Sequence, residues 1–135
     1  MKFLLDTNAV AEAIRPKPSE TFLRRMRAHE ARLALASVTL HEIAFGIERL
    51  PESRRKQVLG DYLRDVLAKV PVLPYATAAA QWHARERARL EALGRTAPYT
   101  DSQIAAIAAV NDLTLVTANQ RDFERFDGLR IENWT

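Results

Sequence analysis

Short apolar runs that end at polar residues, with helix-patterned stretches between them, constrain this 135-residue chain more than any other feature. Residues 2–5 form the first run. Asp6-Thr7-Asn8 closes it, which suits a buried strand followed by a helix cap. Leu33-Ala34-Leu35-Ala36 and residues 113–116 have the same character. Residues 70–74 read Val-Pro-Val-Leu-Pro, and the prolines place this extended piece at a sheet edge. Arg130 and Ile131 predict a last short strand. Between these runs the spacing predicts helices over 9–14, 19–29 (capped by Ser19), 37–50, from Pro51-Glu52 through 67, 77–93 (stopped at Gly94) and 101–111. The third helix carries Leu40, Ile43, Ala44, Ile47 and Leu50 on one stripe. The fourth carries Val58, Leu59, Tyr62, Leu63, Val66 and Leu67. Strands that alternate with helices pair in parallel, because the helices are the crossovers. The expected class is therefore an α/β sandwich with helices on both faces of a parallel sheet. No repeat, low-complexity segment or linker interrupts the pattern, so residues 1–135 read as a single domain. Residues 16–18 and 95–98 are loops within it.

Composition narrows the chemistry by elimination. The chain has no cysteine, which removes disulfide scaffolds, thiolate zinc sites and cysteine nucleophiles and fits a reducing compartment. No apolar run approaches the roughly 18 residues of a spanning helix. Asp6 comes too early for a signal peptide. The expectation is a cytoplasmic protein without membrane contact. The four glycines are isolated, so no phosphate-cradling loop or dinucleotide fingerprint exists. His29, His41 and His83 have no zinc spacing, and no serine sits in a nucleophile elbow. Carboxylates remain.

In open α/β sheets, ligands bind at the carboxyl ends of the strands. Asp6 directly follows the first strand, and Glu42 lies near the start of the helix after the second. Asn119 and Asp122 follow the strand at 113–116. Asp101 opens the helix before that strand, so its place is less fixed by order alone. Carboxylates converging there repel one another. An all-oxygen set selects a hard cation such as Mg²⁺ or Mn²⁺, which activates water and offsets the charge of a phosphodiester. Each acid also has a purely structural explanation. Thr39-x-x-Glu42 and Thr100-x-x-Gln103 have capping-box spacing, with Asp101 favoured at a helix's positive end. Asn119-x-x-Asp122 has the spacing to cap a short turn, and Asp6 to cap its own helix. Against this for Asp6, a carboxylate at the end of an apolar strand is costly unless paired or metal-bound. Glu42 lies off the apolar stripe, beside Phe45 and Gly46, where it either faces solvent or lines a cleft.

Net charge is +3, from 20 basic and 17 acidic residues. Residues 15–32 hold six basic and two acidic side chains, and residues 49–69 six and three. Such faces either attract a polyanion or are ordinary solvated helix faces.

Four segments in order carry a family resemblance. Met1-Lys2-Phe3-Leu4-Leu5-Asp6-Thr7-Asn8 resembles the opening of a PIN domain of the VapC toxin type. Ser37-Val38-Thr39-Leu40-His41-Glu42-Ile43 with Gly46 resembles its second motif, and Tyr99-Thr100-Asp101-Ser102-Gln103-Ile104-Ala105 its third. Leu115-Val116-Thr117-Ala118-Asn119-Gln120-Arg121-Asp122-Phe123 resembles its fourth, and the tail from Phe126 to Trp134 also fits. The resemblance spans nearly the whole chain. It implies a three-layer α/β/α sandwich with a central parallel sheet. It implies a Mg²⁺- or Mn²⁺-dependent endoribonuclease acting as the toxin of a toxin–antitoxin pair. The implied partners are an RNA substrate and a cognate antitoxin, with a homodimer or a higher toxin–antitoxin assembly. Asp6, Glu42 and Asp101 match the family's acidic metal-binding positions. Asp122 matches the Asp of the fourth motif, while Asn119 matches a polar position that is acidic in some relatives, so the fourth ligand stays open between them. Thr7 and Thr117 match supporting hydroxyl positions.

By this resemblance Asp6 and Asp101 hold the metal directly. Glu42 binds it directly or through water, or orients the attacking water. Arg15, Arg24, Arg25 and Arg27 are candidates to hold the phosphate backbone, and residues 21–26 and 58–67 to present apolar faces to an antitoxin helix. Two rivals remain. A haloacid-dehalogenase-type phosphatase needs a second Asp two residues after the first, and Asn8 occupies that place. A non-catalytic RNA- or protein-binding module with a degenerate site is favoured only by Asn119.

Overall fold

A computed structural model describes residues 1–135. Five strands form one sheet: β1 (Phe3–Leu5), β2 (Leu33–Ala36), β3 (Val72–Leu73), β4 (Thr114–Val116) and β5 (Ile131–Glu132). All neighbours are parallel, in the order β3-β2-β1-β4-β5. Leu4 lies between Ala34 and Leu115 in register. The helices are α1 (Thr7–Ala13), α2 (Glu20–Ala28), α3 (Ser37–Glu48), α4 (Arg54–Lys69), α5 (Thr77–Ala92), α6 (Tyr99–Val110) and α7 (Gln120–Phe123).

The three central strands, β1, β2 and β4, are buried along their whole length because both faces of the sheet are covered there. Successive residues point to opposite faces and divide the core in two. Leu4, Ala34, Ala36 and Leu115 pack against α5, α6 and α7 through Ala79, Leu90, Ile104, Ala105, Ala108 and Phe123. Phe3, Leu5, Leu33, Leu35 and Val116 pack against α1, α2 and the tail through Val10, Phe22 and Trp134. The three layers expected from the family resemblance are therefore present. No helix is long and apolar enough to cross a membrane.

Two packing details bear on the candidate site and its surroundings. Residues Ile104–Ala108 of α6 are buried on every side, which only a run of small and apolar side chains permits. The three alanines let the helix lie close to the sheet and hold its first turn, with Asp101, rigidly over the strand ends. By contrast α4 buries none of its residues. Its expected apolar face is only half covered: Tyr62, Leu63 and Val66 are half-buried, while Val58 and Leu67 are exposed.

The capping expectations divide. Ser19 caps α2, accepting from the Phe22 N–H, and Asp6 caps α1. Neither capping box forms. Ala36 is the cap residue of α3, so Thr39 falls inside the helix and is fully buried. Pro98 is the cap residue of α6, and Ser102 Oγ donates to its carbonyl at 2.9 Å. Each helix starts earlier than its box requires, so Glu42 and Asp101 are not used up on helix amides. Ser53, not Pro51 or Glu52, opens α4. The β3 strand lies at the sheet edge, as its prolines require.

Candidate active site

The chain fills the sheet from β1 outward to β2 and β3, then returns to place β4 and β5 on the other side of β1. The strand order therefore reverses between β1 and β4. Such a switch point opens a crevice at the carboxyl ends of the strands. Asp6 follows β1 and Thr117 follows β4 at that place.

Asp6 is 2% exposed. Its Oδ1 accepts from the Ala9 N–H at 2.7 Å, so it does cap α1. Burial pushes its carboxyl above the usual 3.8, and the Glu42 charge pushes the same way. Hydrogen bonds from the Thr117 hydroxyl and from the Ala9 and Asn8 amides oppose that shift without cancelling it. Thr117 is itself buried, and its Oγ1 accepts from the Asn119 N–H at 2.9 Å. A hydroxyl has one hydrogen to donate. With the amide aimed at its lone pair, that hydrogen is directed to Asp6. Capping α1 thus does not remove Asp6 from the acidic cluster.

Asp101 stands half-buried in the first turn of α6. Burial raises its carboxyl above the usual value, followed by the charges of Asp122, Asp6 and Glu42. The Arg125 guanidinium works against them. Four carboxylates are therefore near enough for their charges to act on one another. Glu42 is exposed on α3 and accepts from Thr7 Oγ1 at 2.6 Å. Asp122 is half-buried in α7, and its amide bonds the Asn119 carbonyl at 3.1 Å. Asn119 is exposed, and its side chain makes no capping bond.

The donor chemistry fits a hard divalent cation. All candidate ligands are oxygens, and both raised carboxyls belong to a cluster with more negative charge than its one arginine offsets. The side chains are not drawn together into a ready coordination sphere, since no three His, Asp or Glu groups stand in metal-holding proximity.

Arg125 escaped the reading of the sequence. It is half-buried beside Asp101 and donates to the Thr96 carbonyl. It lies in the turn after α7, and no local pattern marked it, because its approach to Asp101 depends on how α6 and that turn meet. The arginines expected to hold phosphate lie elsewhere. Arg15 pairs with Glu12 at 3.1 Å, and Arg25 donates to the Asn133 carbonyl at 3.3 Å. None of the four appears among the charges acting on Asp6 or Asp101. Two of the histidines pack into the fold. His83 is buried with Nδ1 2.7 Å from the Tyr75 hydroxyl, and His29 stacks on Trp134.

A parallel α/β/α sandwich with interacting acids at its switch point defines the class: an open α/β protein with an acidic crevice at the carboxyl ends of its strands. Residues 3–129 match the sequence profile of the PIN domain, and the chain belongs to that family. The tRNA(fMet)-specific endonuclease VapC of Shigella flexneri is 35% identical over 137 aligned positions, covering 100% of this chain and 99% of that protein. The protein of the same name from Salmonella typhimurium is 36% identical, covering 99% and 98%. Among solved structures, DNA-bound VapBC from Salmonella typhimurium contains a chain that superposes with a TM-score of 0.88 at 34% identity, covering 100% of this chain and 99% of that one.

Proposed function

We propose that this chain is a divalent-metal-dependent endoribonuclease, the toxin of a type II toxin–antitoxin pair, with residues 1–135 working as one catalytic unit in the cytoplasm. The observation that carries the reading is the group of four mutually acting carboxylates, Asp6, Glu42, Asp101 and Asp122, at the switch point of a PIN-domain sheet. Asp6, Asp101 and Asp122 would hold a Mg²⁺ or Mn²⁺ ion. Glu42 would either complete its shell or orient the attacking water. Asn119 offers a neutral oxygen at the rim. When bound, such an ion lowers the pKa of its water and offsets charge on the phosphodiester.

The chain's own residues supply the rest. Thr117 fixes the Asp6 carboxylate, and Thr7 fixes Glu42. Arg125 works against the burial and the neighbouring charges that raise the Asp101 carboxyl, and so offsets part of the negative charge around it. Attack by water makes no use of the ribose 2′-hydroxyl, so a preference for RNA must come from binding.

The relatives' names make initiator tRNA the first substrate to try. The solved VapBC assemblies support a cognate antitoxin as partner. An apolar groove of about 340 Å³ between α2 and α4, lined by Leu23, Met26, Tyr62 and Val66, is the place where the half-covered α4 face would receive an apolar antitoxin segment. The test is cleavage of tRNA by wild type and Asp101→Asn in Mg²⁺, Mn²⁺ or EDTA. Cleavage only by wild type, and only with metal, is expected. A wild-type chain inert with both metals would leave the non-catalytic binding module as the answer.

A further inference from the structure

A cleft lined by two arginines lies outside the acidic cluster, between the second half of α5 and the start of α6. It measures about 210 Å³ and is lined by Arg87, Arg95, Thr96, Tyr99 and Ser102, with Glu91 as its one acid. A smaller cleft of about 150 Å³ lies alongside and shares His83, Arg87 and Tyr99 with it. Tyr99 and Arg87 therefore stand as a partition between two hollows.

Several features of this partition suit a planar, anionic ligand. Tyr99 is 57% exposed although it is aromatic. Its ring is held by the buried His83 ring, 4.9 Å away between centroids, and the Arg87 guanidinium lies 5.9 Å from its centroid. Arg87 and Arg95 form no ion pair, even with Glu91 in the same cleft. Two unpaired arginines beside an exposed, braced aromatic ring form a cationic stacking site.

The cleft is also joined to the acidic site. Arg125, beside Asp101, donates to the carbonyl of Thr96, which lines the cleft. Tyr99 and Asp101 lie in the same turn of α6 and project to different sides of it. A strand whose phosphate lies at Asp101 thus has this cleft within reach of its adjoining nucleotides.

We infer that the Tyr99 cleft is a subsite for single-stranded RNA flanking the scissile phosphate, with a base stacked on Tyr99 and the backbone held by Arg87 and Arg95. This rests on the ribonuclease reading and adds to it a means of choosing unpaired RNA, which aromatic stacking on splayed bases provides. Tyr99, Arg87 and Arg95 are positioning residues; they do not touch the reacting atoms.

The test measures binding separately from cleavage. Fluorescence anisotropy of a short labelled single-stranded oligoribonucleotide is followed on the full chain carrying Asp101→Asn, so that the RNA survives. Adding Tyr99→Ala is expected to weaken binding about tenfold, and Tyr99→Phe to leave it within about twofold, since both aromatic rings stack. Adding Arg87→Ala with Arg95→Ala is expected to flatten the slope of log affinity against log salt by about 1.4, at about 0.7 per lost single-strand phosphate contact. In the otherwise wild-type enzyme, Tyr99→Ala should raise KM with kcat unchanged. Tyr99 is mostly exposed, so unchanged melting midpoints will show that the fold is intact. Binding equal to the parent with Tyr99→Ala, an equal loss with Tyr99→Phe, or an unaltered salt slope overturns the subsite. Failure of wild type to cleave RNA overturns the ribonuclease reading instead, and the binding data identify which of the two has failed.

Discussion

Thr7 Oγ1 donates to Glu42 Oε1 across 2.6 Å, joining the helix that follows β1 to the helix that follows β2 at the mouth of the acidic site. Glu42 is otherwise an exposed side chain on α3, free to sample rotamers. The bond selects the rotamer that points toward Asp6. Hydrogen bonds to a charged group contribute about 1.5–3 kcal/mol, and solvent at this exposed site reduces that to roughly 1 kcal/mol. Thr7→Val is therefore expected to lower kcat about fivefold at limiting metal, and Thr7→Ser to restore it. Metal-activation curves for the two variants check this.

Asp6→Asn separates folding from chemistry. Asparagine caps a helix as well as aspartate does, so the Ala9 bond survives. The substitution removes a carboxylate whose burial disfavours its charged form. Cleavage should disappear while the melting temperature, measured without metal, stays level or rises.

The same group sets a pH dependence. A carboxyl raised above 3.8 in the fold takes up its proton more readily folded than unfolded. Its contribution to stability is fully present below 3.8 and is lost as pH rises through the raised value. Without metal, the wild-type midpoint should thus climb, through Asp6 and Asp101, as pH is lowered from neutrality toward the carboxylate range. Asp6→Asn should climb less. A midpoint-against-pH series on both proteins decides it; equal slopes would remove Asp6 from the account.

Asp122 and Asn119 compete for the fourth position. Asp122 is the first-ranking charge acting on Asp101, whereas Asn119 is exposed and carries no charge. An amide oxygen can coordinate a cation but does not neutralise it. Asp122→Asn should raise the Mn²⁺ needed for half-activation more than Asn119→Ala does. The reverse order in a Mn²⁺ titration of activity would make Asp122 a turn residue.

Most of the layering was legible because burial on both faces writes itself into short strands as unbroken apolar runs, as in Phe3-Leu4-Leu5 and Leu33-Ala34-Leu35-Ala36. The ends of helices were less legible. Thr39-x-x-Glu42 has the spacing of a capping box, yet the chain leaves β2 directly into α3, and Ala36 takes the cap position. Sheet geometry overrode local capping there. Arg125 and the Tyr99 cleft were not legible, since both depend on α5, α6 and α7 meeting in space. Local patterning also could not fix Asp101, whose place depends on how closely the buried alanines of α6 approach the sheet.

Thr39 gives a stability test of the corrected helix start. It is fully buried, and its Oγ1 has no hydrogen-bond partner. An unmet buried hydroxyl costs about 1–3 kcal/mol. Thr39→Val should raise the melting midpoint by about 3 °C, taking roughly 1 kcal/mol of the penalty as recovered. A lowered midpoint would mean that the hydroxyl is bonded, as a box residue would be.

Asp6, Asp101 and Asp122 are proposed to hold a divalent cation, with Glu42 completing its shell or orienting water, and thermal unfolding in Mn²⁺ tests this without any substrate. A ligand of the folded state at 100 times its dissociation constant stabilises it by about 2.7 kcal/mol. A midpoint raised by several degrees in Mn²⁺ and returned by EDTA is expected, with a clearly smaller rise in Asp101→Asn. A wild-type midpoint that does not move with millimolar Mn²⁺, or that moves equally in Asp101→Asn, would contradict it.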